Sequence, residues 1–265
     1  MTNEIDEAIK NMGYKLAGGK DTVFIDGAPT HKDSINSISN KLQMMLKPDI
    51  LTELTNALFV EYSKPRDGIH ISDMLLCPRK TVFQKLQPLP LRMRDLNFFS
   101  SGRAIHEALQ RLALIYPEKY DTEKEVTYHG CTGHVDIYNK IDNIPIEAKS
   151  MRKAKIDRPK DFHIEQIKSY MAILGADNGF ILYQLLLHFD ETPFVVFPIT
   201  MTTRQREIQL QYIDSDIERF KASINNGDPS LSRHIANDAR YNWLCNDCKY
   251  YSQCEKMRKE AGEQI

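Results

Sequence analysis

The sequence lacks any long apolar run. None of its hydrophobic stretches approaches the roughly 20 consecutive residues that a transmembrane helix needs. Residues 1–7 are acidic and contain nothing like the apolar core of a secretory signal peptide. We therefore expect a cytoplasmic protein with no membrane partner.

An excess of charge of either sign is also absent. The 265 residues include 35 Lys and Arg and 36 Asp and Glu, so the formal net charge is −1. Proteins that bind nucleic acid through their overall charge usually have an excess of Lys and Arg. Any nucleic-acid-binding surface of this protein must therefore be a local basic patch. With 42% hydrophobic and 27% charged residues, the composition is typical of a soluble globular protein of one large domain, or one domain with an appendage.

Cysteine is scarce, and three of the five cysteines are concentrated near the end of the sequence. Cys245, Cys248 and Cys254 follow the pattern Cys-x2-Cys-x5-Cys, which in a reducing compartment favours a metal or cluster site over disulfides. A fourth ligand would come from Cys77, from Cys131 or from a residue other than cysteine. Spacing alone does not separate Zn²⁺ from an iron–sulfur cluster.

A β-hairpin in the middle of the chain is the stretch that suggests chemistry. Two β-prone runs, residues 133–138 and 145–150, flank a polar link and alternate between apolar and polar side chains. Because side chains alternate across a strand, Glu147 and Lys149 share a face. Asp136, on the other strand, joins that face if the connecting loop has an even number of residues.

The length of this loop decides which residue lies opposite Asp136. A four-residue loop places it opposite Glu147, and a two-residue loop places it opposite Lys149. Either way, two carboxylates and an ammonium group gather within roughly the cross-strand spacing of 4.5–5.5 Å. Paired carboxylates suit Mg²⁺ or Mn²⁺, and a lysine beside such an ion offsets charge on a phosphate. A surface hairpin with an ordinary lysine–carboxylate pair is the alternative.

The remaining patterns predict alternating helices and strands. Helices are predicted at residues 100–116, 163–174 and 203–225, and strands at residues 124–129, 179–189 and 193–200. Residues 1–65 are predicted to be an extension with a hairpin at residues 14–25 and helices at residues 6–12, 34–46 and 48–62. Ser72 is a predicted N-cap of a short helix that Pro78 kinks or ends.

The most basic segment, residues 151–160, follows the hairpin directly. It is either a solvated loop or a surface that holds phosphates. Its candidate phosphate-binding side chains are Arg152, Lys153, Lys155 and Arg158.

Several separate fragments together resemble the RecB-like branch of the PD-(D/E)xK nucleases. Within that branch they are most similar to the iron–sulfur exonucleases of CRISPR adaptation, the Cas-four type. The hairpin matches the nuclease core motif, although Val135 stands where the nominal pattern has proline. The other matching fragments, in the order of the family, are residues 72–79, residues 102–106 with His106, residues 166–170 with the pattern Q-x3-Y, and the three C-terminal cysteines.

This resemblance implies an α/β fold. It consists of a restriction-endonuclease-like core, a mixed β-sheet flanked by helices, within residues 66–265. A cysteine-rich C-terminal lobe and an α-rich N-terminal extension at residues 1–65 would complete the chain. The resemblance also implies a 4Fe-4S cluster held by four cysteines, namely Cys77, Cys245, Cys248 and Cys254.

The same resemblance implies a site and an activity. His106, Asp136, Glu147 and the carbonyl of Ala148 would hold Mg²⁺ or Mn²⁺. The side chains acting on the DNA strand would be Lys149, Gln166 and Tyr170. The implied function is a metal-dependent exonuclease for single-stranded DNA or overhangs in CRISPR spacer acquisition, with DNA and subunits of the CRISPR integrase complex as partners. A DNA repair nuclease and a catalytically silent DNA-end-binding subunit are the alternatives.

Overall fold

The structure is a computed structural model that describes residues 14–16, 23–25, 28–29, 48–64, 67–187, 193–234 and 243–262. The chain divides into two compact units, Met1–Glu61 and Tyr62–Ile265. None of the described helices combines the length and the apolar character needed to cross a bilayer.

The first unit contains a small antiparallel sheet. Its strands are β1 (Tyr14–Leu16), β2 (Val23–Ile25) and β3 (Ala28–Pro29), and the pairing of β1 with β2 confirms the predicted hairpin. Helix α1 (Pro48–Ser63) begins at a proline, as suits a first helical turn. The helices predicted at residues 6–12 and 34–46 lie outside the described residues.

The second unit is built on a mixed sheet. Its strands are β4 (Ile69–His70), β5 (Tyr120–Tyr128), β6 (Cys131–Asn139), β7 (Ile144–Met151), β8 (Asn178–Leu185) and β9 (Phe194–Thr200). Strand β6 pairs antiparallel with β5 along its whole length. On its other edge, β6 pairs with β4 in parallel at its start and with β7 antiparallel at its end. The order continues through β8, parallel to β7, to β9, which is antiparallel to β8.

The second unit also contains helices, several of which flank this sheet. They are α2 (Ile71–Met74), α3 (Pro78–Leu86), α4 (Met93–Ala113), α5 (Asp161–Leu174), α6 (Thr203–Asn226), α7 (Trp243–Asn246) and α8 (Tyr251–Glu260). A mixed sheet flanked by helices confirms the predicted α/β class. Among the described helices the longest is α6. Its N-cap is Thr202, whose hydroxyl accepts from the N–H of Gln205, and it is followed by Gly227, whose φ of 64° suits glycine.

The segment around Pro78 differs from the prediction. Helix α2 begins at Ile71, before Ser72, and the N–H of His70 donates to the carboxylate of Asp73 at 3.0 Å. Pro78 does not end this helix but is the first residue of α3. The first position of a helix needs no N–H donor, so proline is well suited there.

Two groups of buried side chains form the core. One joins α2, α3, α5 and α6 to the sheet and includes Ile71, Val135, Tyr170 and Phe220. The other lies under α5 and includes Ile167, Met171, Ile181 and Tyr183. These apolar groups fix the positions of α5 and of strands β6 to β8, which carry most of the predicted site.

Candidate active site

The hairpin of β6 and β7 has the four-residue loop. Its ladder pairs Asn139 with Ile144, so the loop comprises residues 140–143. Continued by one step beyond the last pair, this register places Asp136 across from Glu147. The first of the two loop alternatives is thereby confirmed, and both carboxylates lie on neighbouring strands.

Asp136 is a buried carboxylate with two neighbours outside its own strand. The ladder with β7 ends at Ile137, and one step further Oδ2 of Asp136 accepts a hydrogen bond from the N–H of Ala148 at 2.8 Å. Its Oδ1 lies 3.6 Å from Nδ1 of His106, on α4. Burial alone would raise the pKa of Asp136, but the contact with His106 and the charge of Lys149 outweigh it and lower the pKa. Asp136 is therefore held in its ionised form.

Glu147 and Lys149 form a buried ion pair. The Glu147 side chain is 0% exposed, and among the described residues neither of its carboxylate oxygens accepts a hydrogen bond of good geometry. Its Oε1 is in ion-pair contact with Nζ of Lys149. Burial raises the pKa of Glu147 above its ordinary value; Lys149 acts in the opposite direction, and Asp136 adds to the rise.

The Lys149 ammonium stays charged in this setting. Burial favours its neutral form, but the carboxylates of Glu147 and Asp136 outweigh that effect, so the pKa of Lys149 is raised. A lysine with a raised pKa is poorly suited to take up a proton. It is well suited to stabilise negative charge.

Helix α5 contributes Tyr170 and Gln166 to the same place. Tyr170 is 2% exposed, and Gln166 and the backbone of His134 are among the groups that influence its pKa. Burial raises the pKa of Tyr170, and the nearby charge of Glu147 adds to this rise. Tyr170 therefore remains a neutral hydroxyl beside the carboxylates.

The residues that the sequence predicted for one site are thus brought together from four elements. Asp136 comes from β6, Glu147 and Lys149 from β7, His106 from α4, and Gln166 with Tyr170 from α5. Their roles in binding and catalysis remain predictions. The basic side chains of residues 152–158 lie on the surface after β7.

Two further side chains near Lys149 were not singled out by the sequence patterns. Tyr183 pairs with Lys149 in the register of β7 and β8. Its hydroxyl accepts from the N–H of Lys160 at 3.1 Å and shares a hydrogen bond with Nδ1 of His163, 2.6 Å away. Burial lowers the pKa of His163 to about 2, with the charge of Lys149 as the next cause. Tyr183 lies in an apolar strand and His163 at the polar start of a helix, so no local signal marks them.

Four of the five cysteines meet in one cavity. Cys77, at the start of α3, and Cys245, Cys248 and Cys254 line a cavity of about 370 Å³. Burial raises the pKa of Cys254 to about 11, and the thiols of Cys77 and Cys248 add to this rise. Cys131 is 0% exposed and belongs to the core beneath the sheet. Of the two candidates for a fourth ligand, Cys77 is therefore the one that lies with the C-terminal three.

Contacts that need no metal hold the C-terminal segment against α3 and the start of α4. The ring of Tyr250 stacks on Phe83 at 5.5 Å, and its hydroxyl donates to the carbonyl of Gln87 at 3.1 Å. Nζ of Lys249 lies 3.0 Å from the carboxylate of Asp95. Burial of aromatic surface and a short ion pair thus bring the two ends of this cysteine set together.

The donor atoms fit the implied metals in kind. Asp136, Glu147 and His106 offer the oxygen and nitrogen ligands of a divalent cation, and the Glu147 oxygens have unused acceptor capacity. The four thiols suit an iron–sulfur cluster or Zn²⁺. Within the described part of the chain, no group of three or more His, Cys, Asp or Glu side chains is arranged to hold a metal ion as it stands. At the hairpin, a cation between the carboxylates requires the Lys149 side chain to move aside.

Comparison with known proteins gave distant similarities only. No family model matches the chain, and no curated protein matches it. Among solved structures, it is similar to the protein SSO0001, with a TM-score of 0.49, 20% identity, and coverage of 75% of this chain and 94% of that one. An alkaline exonuclease from Laribacter hongkongensis gives a TM-score of 0.43 and 15% identity, with coverage of 56% of this chain and 79% of that one. A phage-related exonuclease from Haemophilus somnus gives a TM-score of 0.43 and 12% identity, with coverage of 57% of this chain and 82% of that one.

Proposed function

We propose that this protein is a divalent-cation-dependent nuclease that hydrolyses phosphodiester bonds of DNA. One observation carries the proposal. Asp136, Glu147 and Lys149 from a single hairpin and His106 from α4 converge on one buried spot. A hairpin with an ordinary surface ion pair would not bury Glu147 completely.

These side chains divide between two tasks in the proposed reaction, binding the cation and stabilising negative charge. His106, Asp136 and Glu147, with the carbonyl of Ala148, hold the cation. When bound, a divalent cation supplies Lewis acidity, which lowers the pKa of water and polarises a phosphate. Lys149, with its raised pKa, keeps its proton and stabilises the negative charge that develops on the phosphate oxygens.

The helix α5 side chains position the strand. Tyr170 is buried near Glu147, and Gln166 lies one turn away on the same face of α5. In the proposed reaction, the Tyr170 hydroxyl and the Gln166 amide orient a sugar–phosphate segment of the substrate. Neither group is charged. Arg152, Lys153, Lys155 and Arg158 would hold neighbouring phosphates, with affinity that falls as salt concentration rises.

We further propose an exonuclease that acts on single-stranded DNA or on overhangs, in CRISPR spacer acquisition, where the integrase complex would be its partner. The resemblance of the sequence supports this assignment. A repair nuclease outside CRISPR would use the same residues. A DNA-end-binding subunit without turnover would have no need of a charged lysine beside two carboxylates.

The four cysteines would hold a 4Fe-4S cluster, with Zn²⁺ as the rival. Their common cavity supports a bound metal of some kind. Such a bond joins Cys77 to cysteines far away in sequence, and closing so long a loop stabilises the folded chain. We therefore assign the cluster a structural role.

A cleavage assay tests the proposed function. The full-length protein is incubated with end-labelled single-stranded, 3′-overhang, 5′-overhang and blunt DNA, in Mg²⁺ or in Mn²⁺. We expect shortening of single-stranded and overhang substrates from an end and no reaction in EDTA. Binding without cleavage in both metals would instead support a silent end-binding subunit.

A further inference from the structure

A ridge of three side-chain positions runs along α4 from the candidate site. Phe98, Gly102 and His106 follow one another at four-residue intervals, so they lie in one row along the helix. At one end His106 faces Asp136. At the other end Phe98 lies about 12 Å away, because each helical residue rises about 1.5 Å. This distance corresponds to a few nucleotides of a DNA strand.

Phe98 is a half-exposed aromatic ring with two guanidinium groups close to it. Its side chain is 52% exposed. The guanidinium of Arg94 lies 5.6 Å from the ring centroid and that of Arg152 lies 5.7 Å away. Arg94 also pairs with Asp247 at 3.3 Å. The ring therefore combines partial exposure with two neighbouring positive charges.

Arg152 connects this ring to the proposed chemistry. It follows Lys149 by three residues, at the point where β7 ends. A strand that leaves the carboxylates along β7 would therefore meet a guanidinium and an aromatic ring. Those two groups are the ones that recognise a phosphate and a base.

The space between the two ends of the ridge is open. A Cβ built on Gly102 would meet no atom within 4 Å, so packing does not require glycine at this position. Glycine inside a helix is unfavourable compared with alanine. Its absence of a side chain lets a strand pass close to the helix backbone between Phe98 and His106.

We propose that Phe98, flanked by Arg94 and Arg152, is a stacking platform for one base of a single-stranded DNA substrate, a few nucleotides from the phosphate that is cleaved. The inference rests on the proposed nuclease function and deepens it, because it assigns a side chain that recognises the single-stranded substrate. Aromatic rings stack on any base, so this contact is tolerant of sequence. Bases within a duplex are already stacked on their neighbours, so the platform selects single strands.

Binding without cleavage tests the platform directly. Short oligodeoxythymidylates with one 2-aminopurine at successive positions are titrated with the full-length protein in Ca²⁺, and fluorescence reports both affinity and stacking. We expect quenching at one position, and we expect Phe98→Ala to abolish it and to weaken binding about tenfold. Phe98→Trp should retain both effects. Phe99→Ala is the matched control, because Phe99 is 50% exposed on the same helix but points about 100° away.

The outcomes separate this inference from the proposed function. If the wild type binds and cleaves single-stranded DNA while Phe98→Ala binds as tightly and quenches as strongly, the platform is refuted and the nuclease stands. The same holds if Phe99→Ala loses as much affinity as Phe98→Ala. If the wild type neither binds nor cleaves the oligonucleotide, both proposals fail.

Discussion

The backbone N–H of Ala148 donates to Oδ2 of Asp136 at 2.8 Å. A side chain of the candidate site thus satisfies a buried backbone group at the point where two strands stop pairing. The bond fixes the Asp136 carboxylate and directs its other oxygen toward His106. It also means that Asp136 contributes to stability as well as to the proposed chemistry.

Replacing Asp136 should therefore have different effects on stability according to the substitute. Asp136→Ala leaves the N–H of Ala148 buried without an acceptor, which should lower the free energy of unfolding by about 1–3 kcal/mol. Asp136→Asn keeps an acceptor oxygen in place and should cost less. Urea unfolding of the two variants measures the difference, and equal stabilities would show that the hydrogen bond contributes little.

Two glycines offer a matched pair of stability tests. A Cβ on Gly133 would lie 2.6 Å from Cδ1 of Ile71 and 2.8 Å from Cε1 of Tyr170. Gly133→Ala should therefore destabilise the protein by about 1–3 kcal/mol and displace Tyr170. Gly102→Ala has open space and should stabilise it by roughly 0.5–1 kcal/mol. Thermal unfolding shows whether each variant is more or less stable than the wild type. A stabilising Gly133→Ala would mean that Ile71 and Tyr170 move away from the added Cβ without cost.

His163 predicts a dependence of stability on pH. Its pKa is lowered from 6.5 to about 2, so the folded protein keeps it neutral while the unfolded chain takes up a proton below about pH 6.5. Its contribution is complete above pH 6.5 and is lost as the pH falls below that value, by up to about 1.4 kcal/mol per pH unit. Unfolding measured between pH 4 and 7 should be less pH-dependent in His163→Leu than in the wild type.

The control for this measurement is a histidine on the surface. His129 is exposed and pairs with Asp214 at 2.7 Å. His129→Gln should keep the steep acid dependence that His163→Leu loses. Parallel curves for the wild type and His163→Leu would assign the acid sensitivity to other groups.

The cysteine cavity predicts which cysteine binds metal. Cys77→Ser should lose the bound metal, whereas Cys131→Ala should keep it, because Cys131 lies in the core away from the other four. Protein purified anaerobically is examined by elemental analysis and by its visible spectrum. A coloured wild type with iron supports the cluster, and a colourless one with zinc refutes it. Retention of metal by Cys77→Ser would exclude Cys77 as the fourth ligand.

The parts of the site that sequence could predict are those set by strand geometry. Side chains alternate strictly along a strand, so the shared face of Glu147 and Lys149 followed from their spacing. Parity then limited the partner of Asp136 to two residues. The register itself required the structure, because the polar link permits both loop lengths.

Local sequence patterns could not predict the contacts between segments that are distant in the chain. Helix α4 begins at Met93, where the N–H of Arg92 donates to Asp95 at 3.1 Å, and arginine is not among the usual N-caps. Tyr183 lies in an apolar strand and His163 at the polar start of α5, and only their meeting in the fold places them near Lys149. The contact between Phe98 and Arg152 could not be predicted from the sequence, because it depends on how α4 packs beside the end of β7.

The most direct test of the account is the rate at which Asp136→Asn and Lys149→Ala cleave single-stranded DNA in Mn²⁺, compared with the wild type. Far-ultraviolet circular dichroism confirms that each variant is folded. If the two carboxylates and the ammonium group act on one phosphate, both variants should lose at least about a hundredfold in rate. A folded variant of either kind that cleaves at the wild-type rate would contradict the assignment of this site.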